Sequence, residues 1–309
     1  MRDDPDDDRT ASLMTPAKLA QLKVKPKVVS PAAYLDQLAA DAGSGHVRRL
    51  VDLRHQLEAQ LGGRDWRSVA GAGKALHDAL EAVDFALVQP RGWLARATGK
   101  GKEAAEGFRA QYDQVARSGE AFAEHVRAIE KRLQSEPAVE RTLVEIEVEV
   151  RALEKIMDQG ARWLQDMRNQ LKARQAEGGD ADVQAQIAQD TARCELLVAR
   201  LKQLRAASSA TQQVVEHCRS AATRRASFMS SLQQVLDEPA KAWRVQGARL
   251  ADQAGEASAA QGSEAAREAR RNLQGALQRV AQDANAVHAQ EQALLDEVGA
   301  LRAPLQAAG

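Results

Sequence analysis

The sequence predicts an all-α protein: an elongated bundle of long antiparallel helices with coiled-coil-like heptad seams, preceded by a small N-terminal helical subdomain. Aromatic residues make up only 3% of the chain and charged residues 28%, a composition typical of long helices. Apolar or cysteine side chains recur at alternating spacings of four and three over residues 183–236, where neither proline nor glycine occurs. Glycine and proline separate several such stretches, which predicts that the chain reverses between rods.

Three regions differ in composition. Residues 1–30 carry five early aspartates and then lysines broken by prolines, which predicts a disordered tail; a contact of these lysines with a membrane or a partner is the alternative. Residues 31–98 predict a small helical subdomain with a basic linker, because Ser30-Pro31 begins one short helix and Gly62-Gly63 ends a second. Asp65 is the predicted cap of a third short helix. Residues 99–303 predict the long-helix bundle.

The bundle region divides into rods. One rod precedes Pro137, a second ends at Gly178-Gly179, and Asp180 or Asp182 caps the long rod over residues 183–236. Pro239 is predicted to interrupt the long rod, and Pro304 is predicted to end a final helical region that begins near residue 243. The rods on either side should fold back on the long one. A coiled-coil dimer that pairs the seams between copies is the alternative, but the glycine breaks and short connections favour a bundle within one chain.

Net charge and cysteine placement limit the partners and the compartment. The chain has 43 basic and 43 acidic residues, so its formal charge gives no case for nucleic acid. The arginines near residues 224–225 and 267–271 alternate with glutamates and lack an aromatic platform, which indicates a solvated face. Cys194 and Cys218 lie roughly 36 Å apart on one predicted helix, so they cannot pair within a monomer. Free thiols on a seam, no signal peptide and no long apolar run together predict a cytoplasmic protein.

No motif predicts catalysis, a cofactor or a metal. The Gly-Ala-Gly-Lys of residues 71–74 and the Gly-Lys-Gly-Lys of residues 99–102 lack the full phosphate-loop pattern and follow no predicted strand. The six histidines and two cysteines have no zinc spacing, and Glu-x-x-His does not occur. The glutamates at 145, 147 and 149 are interpreted as the solvated edge of a rod. We therefore expect a protein that is not an enzyme.

One locally basic segment is a candidate contact for an anionic surface. It spans residues 91–102, carries a tryptophan as a possible interfacial anchor, and has no acid before Glu103. A solvated linker with its tryptophan packed on the core is the alternative interpretation. The candidate contact residues are Arg91, Trp93, Arg96, Lys100 and Lys102.

The same segment opens a series of residues that resembles a known family. Trp93-Leu94-Ala95-Arg96, with two following lysines, precedes a helix that carries Tyr112-Asp113-Gln114-Val115. Farther on come Leu201-Lys202-Gln203-Leu204, Gln212-Gln213, Arg219, Pro239 and Trp243-Arg244. In order and spacing, residues 91–250 resemble the bacterial toxic anion resistance family (TelA/KlaA type), as a distant member. The resemblance implies a cytoplasmic, non-enzymatic stress protein linked to tellurite resistance, and no catalytic residue carries over.

Two functions follow as expectations. The first is a stress-resistance helical scaffold that binds a protein partner and acts at the surface of the inner membrane, through the basic segment. The alternative is a coiled-coil adaptor whose seams pair with another protein or with a second copy. Neither requires a cofactor, a metal or nucleic acid.

Overall fold

The computed structural model describes residues 41–88, 100–254 and 259–309. Within these ranges the regular elements are helices and no strand occurs, which confirms the all-α class. The predicted tail over residues 1–30 and the helix start at Ser30-Pro31 lie outside the described residues. In chain order the elements are α1 (Ser44–Leu61), α2 (Trp66–Glu81), a 3₁₀ turn (Phe85–Val88), α3 (Lys100–Leu133), α4 (Glu136–Glu177), α5 (Ala181–Val235), a π-helical turn (Leu236–Ala240), α6 (Lys241–Asp252), α7 (Ala259–Ala300) and α8 (Arg302–Ala307).

Caps and glycines set several helix ends where the sequence predicts them. The Asp65 carboxylate accepts a hydrogen bond from the Ser68 N–H at 3.2 Å, and Asp180 accepts one from the Val183 N–H at 3.0 Å. Gly63 and Gly178, which follow α1 and α4, have φ angles of 78° and 70°. These left-handed conformations favour glycine because it has no Cβ.

The chain divides into two compact units. The larger, called here the bundle unit, contains residues 45–154 and 206–309; the smaller, called the hairpin unit, contains the described residues 41–44 and 155–205. This division differs from the predicted boundary between residues 31–98 and 99–303. The reason is that the buried side chains of α2 share a core with those of α3 and α7: its Gly73 packs 3.6 Å from Phe122 of α3 and 3.9 Å from Leu277 of α7, measured from an ideal Cβ.

The bundle unit contains a large hydrophobic core cluster. Buried side chains of α2, α3, α6, α7 and the C-terminal part of α5 share it, and its aromatic centre includes Trp66 and Phe228, whose ring centroids are 5.5 Å apart. The predicted seam of α7 is buried along its length, from Leu273 to Leu301. This burial supports the fold within one chain rather than a seam left open for a second copy.

The hairpin unit is a pair of antiparallel helix segments. Leu164, Met167 and Leu171 of α4 pack against Ile187 and the neighbouring seam positions of α5. The helices approach each other closely at Gly160, where a Cβ would lie 3.0 Å from a methyl group of Leu201. In this unit the predicted seam of the long helix is buried by another segment of the same chain from Ile187 to Leu197, whereas Val183 at its start is 36% exposed.

Pro239 interrupts the α-helical pattern of the long helix, as predicted, but the helix does not stop there. It passes through the π-helical turn Leu236–Ala240 and continues directly into α6. Proline has no N–H to donate and its ring crowds the preceding turn, and a π turn accommodates both effects by widening the helix locally. Pro304 likewise does not end α7, which ends at Ala300; it lies in the first turn of α8, where a proline is tolerated.

The described helices include none that is both long enough and apolar enough to cross a membrane.

Candidate binding sites

The basic segment predicted from sequence is only partly described by the structure. Arg91, Trp93 and Arg96 lie outside the described residues, and Lys100 is the first residue of α3. The Lys102 side chain is 85% exposed, with its ammonium 4.0 Å from the carboxylate of Glu106. The contact of this segment with an anionic surface therefore stays a prediction.

A groove runs along one side of the hairpin unit, between α4 and α5, with a volume of about 490 Å³. We call it the hairpin groove. Its floor is apolar and is formed by Met157, Ala161, Leu164, Val198 and Leu201. The absence of a side chain at Gly160 brings the two helices close together below this floor.

The rim of the hairpin groove is positively charged. Arg168 and Lys172 line it from α4, and Lys202 and Arg205 line it from α5. All four side chains belong to exposed residues, and none forms an ion pair with a residue in the described part of the chain. No carboxylate lines the groove. The arrangement can therefore attract an acidic group and bury an apolar one beneath it.

A buried ion cluster lies in the bundle unit. The Arg225 guanidinium contacts Glu291 at 2.6 Å and Glu136 at 3.0 Å, and Arg64 contacts the same two carboxylates at 3.3 Å and 2.7 Å. The Arg225, Arg64 and Glu291 side chains are only 1%, 2% and 5% exposed. The four residues come from α4, α5, α7 and the connection between α1 and α2, so the cluster fixes the register of these segments.

Within the cluster, Arg225 corrects the interpretation of the nearby arginines as a solvated face. Burial alone would lower the pKa of Arg225, but the carboxylates of Glu291 and Glu136 more than offset it and the pKa is raised. Burial and the charge of Arg225 lower the pKa of Arg64. Because two arginines face two glutamates, the cluster leaves no spare charge for a ligand, and we assign it a structural role.

The other arginines of that group also have partners. The guanidinium carbons of Arg267 and Arg270 lie 4.7 Å and 4.9 Å from the centre of the Phe85 ring, and Arg270 donates to the Val83 carbonyl. Cation–π contact with a half-buried turn is a packing role rather than a nucleic-acid platform.

The glutamates of α4 at 145, 147 and 149 do more than face solvent. Each contacts a basic side chain of another helix in the bundle unit: Glu145 pairs with Arg49, Glu147 pairs with Arg219, and Glu149 is hydrogen bonded with His46. The two hydrogen bonds from Arg219 to carboxylates raise its pKa. This row connects α4 to α1 on one side and to α5 on the other.

The two cysteines are free and buried, as their seam positions predict. Burial raises the pKa of the Cys194 thiol, and it raises the pKa of Cys218 to about 12. His217, next to Cys218 in the sequence, hydrogen bonds instead with Glu297 at 2.6 Å. A neutral, buried thiol is a poor nucleophile, so neither cysteine has a catalytic environment.

A second cavity, of about 270 Å³, lies beside the π-helical turn in the bundle unit, and we call it the π-turn cavity. Tyr112 and Trp243 form one wall. The Tyr112 hydroxyl donates a 3.3 Å hydrogen bond to the carbonyl of Arg244, and burial raises the Tyr112 pKa despite the opposing charge of Arg244. Trp243 is 4% exposed, and its indole Nε1 has no hydrogen-bond partner among the described residues.

One group of side chains has the proximity that a metal site needs. His77, Asp78 and Glu81 of α2 have potential ligand atoms within 4.8 Å of one another. Asp78 is hydrogen bonded to Lys74, which lowers the pKa of Asp78, and His77 is within hydrogen-bonding distance of Gln278. These contacts give the side chains protein partners, and nothing else in the structure indicates an ion at this exposed position.

The geometry defines an all-α helical protein with a basic-rimmed groove and a small apolar cavity. No protein-family model, curated protein or solved structure matches the chain. The resemblance to the toxic anion resistance family therefore stays a prediction carried by its residues alone.

Sequence analysis missed both the groove and the cavity. A signal for the groove exists: the four cations flank the seams of two adjacent predicted rods, at spacings of four in α4 and three in α5, without an acid among them. The cavity has no such signal, because the predicted interruption at Pro239 assigns Trp243 to a separate helical region.

Proposed function

We propose that this protein is a non-enzymatic helical scaffold that binds an acidic, amphipathic helix of a partner protein in the hairpin groove. The observation that carries the proposal is a set of four cations around an apolar floor, with no ion-pair partner and no lining carboxylate among the described residues. Protein partners, rather than small molecules, fit a long and open groove between two helices.

The chemistry of the groove specifies the occupant. A helix that lies in a groove presents apolar side chains at positions i, i+3, i+4 and i+7, and these would cover Leu164, Val198 and Leu201. Glutamates or aspartates flanking that stripe would reach Arg168 and Lys202 on opposite rims. Apolar burial would supply most of the affinity, and the charges would supply the association rate and the choice of partner.

The state of the cysteines supports a role without covalent chemistry. Both thiols are buried and have raised pKa values, so they remain protonated near neutral pH. The ion cluster is balanced in charge and closed by its own members.

The resemblance over residues 91–250 supports a physiological setting for this binding. We place the scaffold in bacterial stress resistance of the toxic anion type, in the cytoplasm, with residues 91–102 as a peripheral contact with the inner membrane. A homodimeric adaptor is the alternative. The buried seams of α5 and α7 do not favour it, because they need no second copy.

The binding test uses the full chain and a labelled helical peptide with leucines at i, i+3, i+4 and i+7 flanked by glutamates. Fluorescence anisotropy should detect binding that weakens with salt. The double variant Arg168→Glu, Lys202→Glu should raise Kd by about tenfold or more. The matched control is Lys155→Glu, Arg162→Glu, which changes the charge equally at exposed positions of α4 outside the groove, and it should leave Kd unchanged.

Three outcomes would overturn the proposal. The first is that the peptide does not bind, and the second is that the control variant weakens binding as much as the groove variant. Alternatively, phosphatidylglycerol vesicles bind through Arg168 and Lys202 and the peptide does not displace them, which would assign the groove to a membrane. Sedimentation equilibrium of the same samples tests the homodimer, since a monomer at every concentration excludes it.

The stress-resistance setting has its own test. A strain that lacks the chain should become sensitive on a tellurite gradient, and restoring the chain should reverse this. Restoring the Arg168→Glu, Lys202→Glu variant should not, if the groove serves resistance. Equal growth of the deleted and restored strains would remove tellurite from the proposal while leaving the binding result intact.

A further inference from the structure

The π-turn cavity has the features of a small-molecule site. Its walls come from α2, α3, α6, α7 and the π-helical turn itself, and they are mainly apolar, with Val115, Phe122 and Leu273 among them. An apolar cavity of about 150 Å³ is enough for benzene. The 270 Å³ here would therefore hold an aromatic ring with a short substituent.

Two polar groups on α6 are available to such a molecule. The indole N–H of Trp243 is buried and lacks an acceptor in the described part of the chain. The next residue, Arg244, also lines the cavity, is exposed, and forms no ion pair with a described residue. A buried donor without an acceptor is unusual in native proteins, which makes an incoming acceptor favourable.

The remaining polar groups at the cavity are already engaged. Glu120 pairs with Arg127 at 2.6 Å, so this carboxylate at the cavity edge already has a counter-charge. The Tyr112 hydroxyl donates to the Arg244 carbonyl. The unused groups are thus one neutral donor and one cation, and a carboxylate satisfies both.

The side chains beside the cavity are closely packed, so the cavity does not result from loose packing of the core. At Gly247 an added Cβ would lie 2.9 Å from the Tyr112 ring and 3.3 Å from the Trp243 indole. The two rings are therefore held at a fixed position by a residue without a side chain. π-Helical turns occur often at functional sites, because they displace side chains from the regular helical register.

We propose that the π-turn cavity binds a small organic acid with an aromatic or branched apolar body, whose carboxylate accepts a hydrogen bond from Trp243 Nε1 and pairs with Arg244. The apolar body lies against Val115, Phe122 and Leu273. This site is separate from the hairpin groove, which belongs to the other unit and has a different ligand chemistry.

The test uses 3-phenylpropionate as the probe and the full chain labelled with ¹⁵N at its four tryptophans. The indole N–H signal that disappears in Trp243→Phe identifies Trp243. Titration should shift this signal saturably and leave that of Trp66 in place. The neutral analogue 3-phenylpropanol should bind more weakly by about tenfold, the effect of one charge-assisted contact.

Two variants and a control complete the design. Gly119→Leu should abolish the shift by filling the cavity; it should fold, because an added Cβ has no neighbour closer than 3.9 Å. Arg244→Gln should weaken binding of the acid but not of the alcohol. Arg249→Gln, an exposed arginine of the same helix outside the cavity, should bind like the unmodified chain.

The proposal is overturned if the Trp243 signal does not move, or if the shift persists in Gly119→Leu. Equal affinity for the acid and the alcohol would overturn the assignment of ligand class. Thermal melting of each variant shows whether it is folded, and Trp243→Phe, which retains an aromatic body, gives a second measure of the role of the indole N–H through the affinity for the acid.

Discussion

At the scale of single residues, Glu291 is held by two buried ion pairs. Its two oxygens contact both Arg64 and Arg225, and it is almost fully buried. Glu291→Gln should lower the free energy of unfolding by about 3–5 kcal/mol, because it leaves buried guanidinium charge without a counter-charge. Urea unfolding followed by circular dichroism measures this loss.

The matched control is Glu264→Gln on the same helix. Glu264 pairs with Arg271 at 3.2 Å, but its side chain is 74% exposed. Exposed pairs contribute at most about 1 kcal/mol, so the control should unfold nearly as the unmodified chain does. An equal decrease in the free energy of unfolding for the two variants would show that burial does not determine how much the Glu291 contacts stabilise the protein.

Cys218 gives a second prediction at this scale. Burial raises its thiol pKa from 9.0 to about 12, so the folded state favours the protonated thiol. The resulting stability is complete below pH 9 and declines as pH rises toward 12. Iodoacetamide at pH 8 should therefore label Cys218 only in denaturant, as measured by mass spectrometry of the digested protein. Stoichiometric labelling of the native chain at this position would contradict the buried environment.

At the scale of helices, replacing glycine by alanine should have opposite effects on stability at the end of a helix and in its interior. Gly178 ends α4 with a φ of 70°, whereas Gly275 lies inside α7, and an added Cβ meets no atom within 4 Å at either position. Gly178→Ala should lower the free energy of unfolding by about 1 kcal/mol, because alanine is strained in the left-handed region. Gly275→Ala should raise it by up to about 1 kcal/mol through helix propensity.

Thermal unfolding of both variants at one protein concentration measures these opposite shifts. Because an added Cβ meets no neighbouring atom at either site, the comparison tests the backbone conformation rather than steric fit. Shifts of the same sign would mean that the end of α4 does not require a left-handed residue.

The helices also show how far the sequence alone could lead. The seams of α4, α5 and α7, the cap at Asp65 and the turn at Gly178 follow from local patterns, and the structure has them where predicted. The π-helical turn could not be predicted, because proline within a periodic pattern locally favours a helix end. Burial of Trp243 and Leu250 in the shared core stabilises the continuous helix instead, and this is a tertiary effect.

The binding sites also combine features that the sequence shows with features that only tertiary structure determines. The cations of the hairpin groove were visible as residue types, but whether Arg168 or Lys202 had an ionic partner depended on the packing of the helices. The donor of Trp243 could be recognised as unpaired only from coordinates. The sequence thus predicted the helices that carry the sites, and tertiary structure determined which polar groups remain available for a ligand.

At the scale of the whole molecule, the two units should differ in local stability. The core of the hairpin unit consists mainly of aliphatic side chains and a cysteine between two helix segments, whereas the bundle unit buries aromatic side chains from several helices. Regions with fewer buried contacts open at lower free energy. Both units contain part of α4, so one helix provides an internal comparison.

Hydrogen exchange followed by mass spectrometry should show this difference within α4. Peptides covering residues 156–170, in the hairpin unit, should exchange at least about tenfold faster than peptides covering residues 140–153, in the bundle unit, which corresponds to about 1.4 kcal/mol in opening free energy. The glutamate-flanked peptide should slow exchange in the first segment only, because it binds the groove there. Uniform protection along α4 would mean that the helix opens as one cooperative element and that the hairpin is as stable as the bundle.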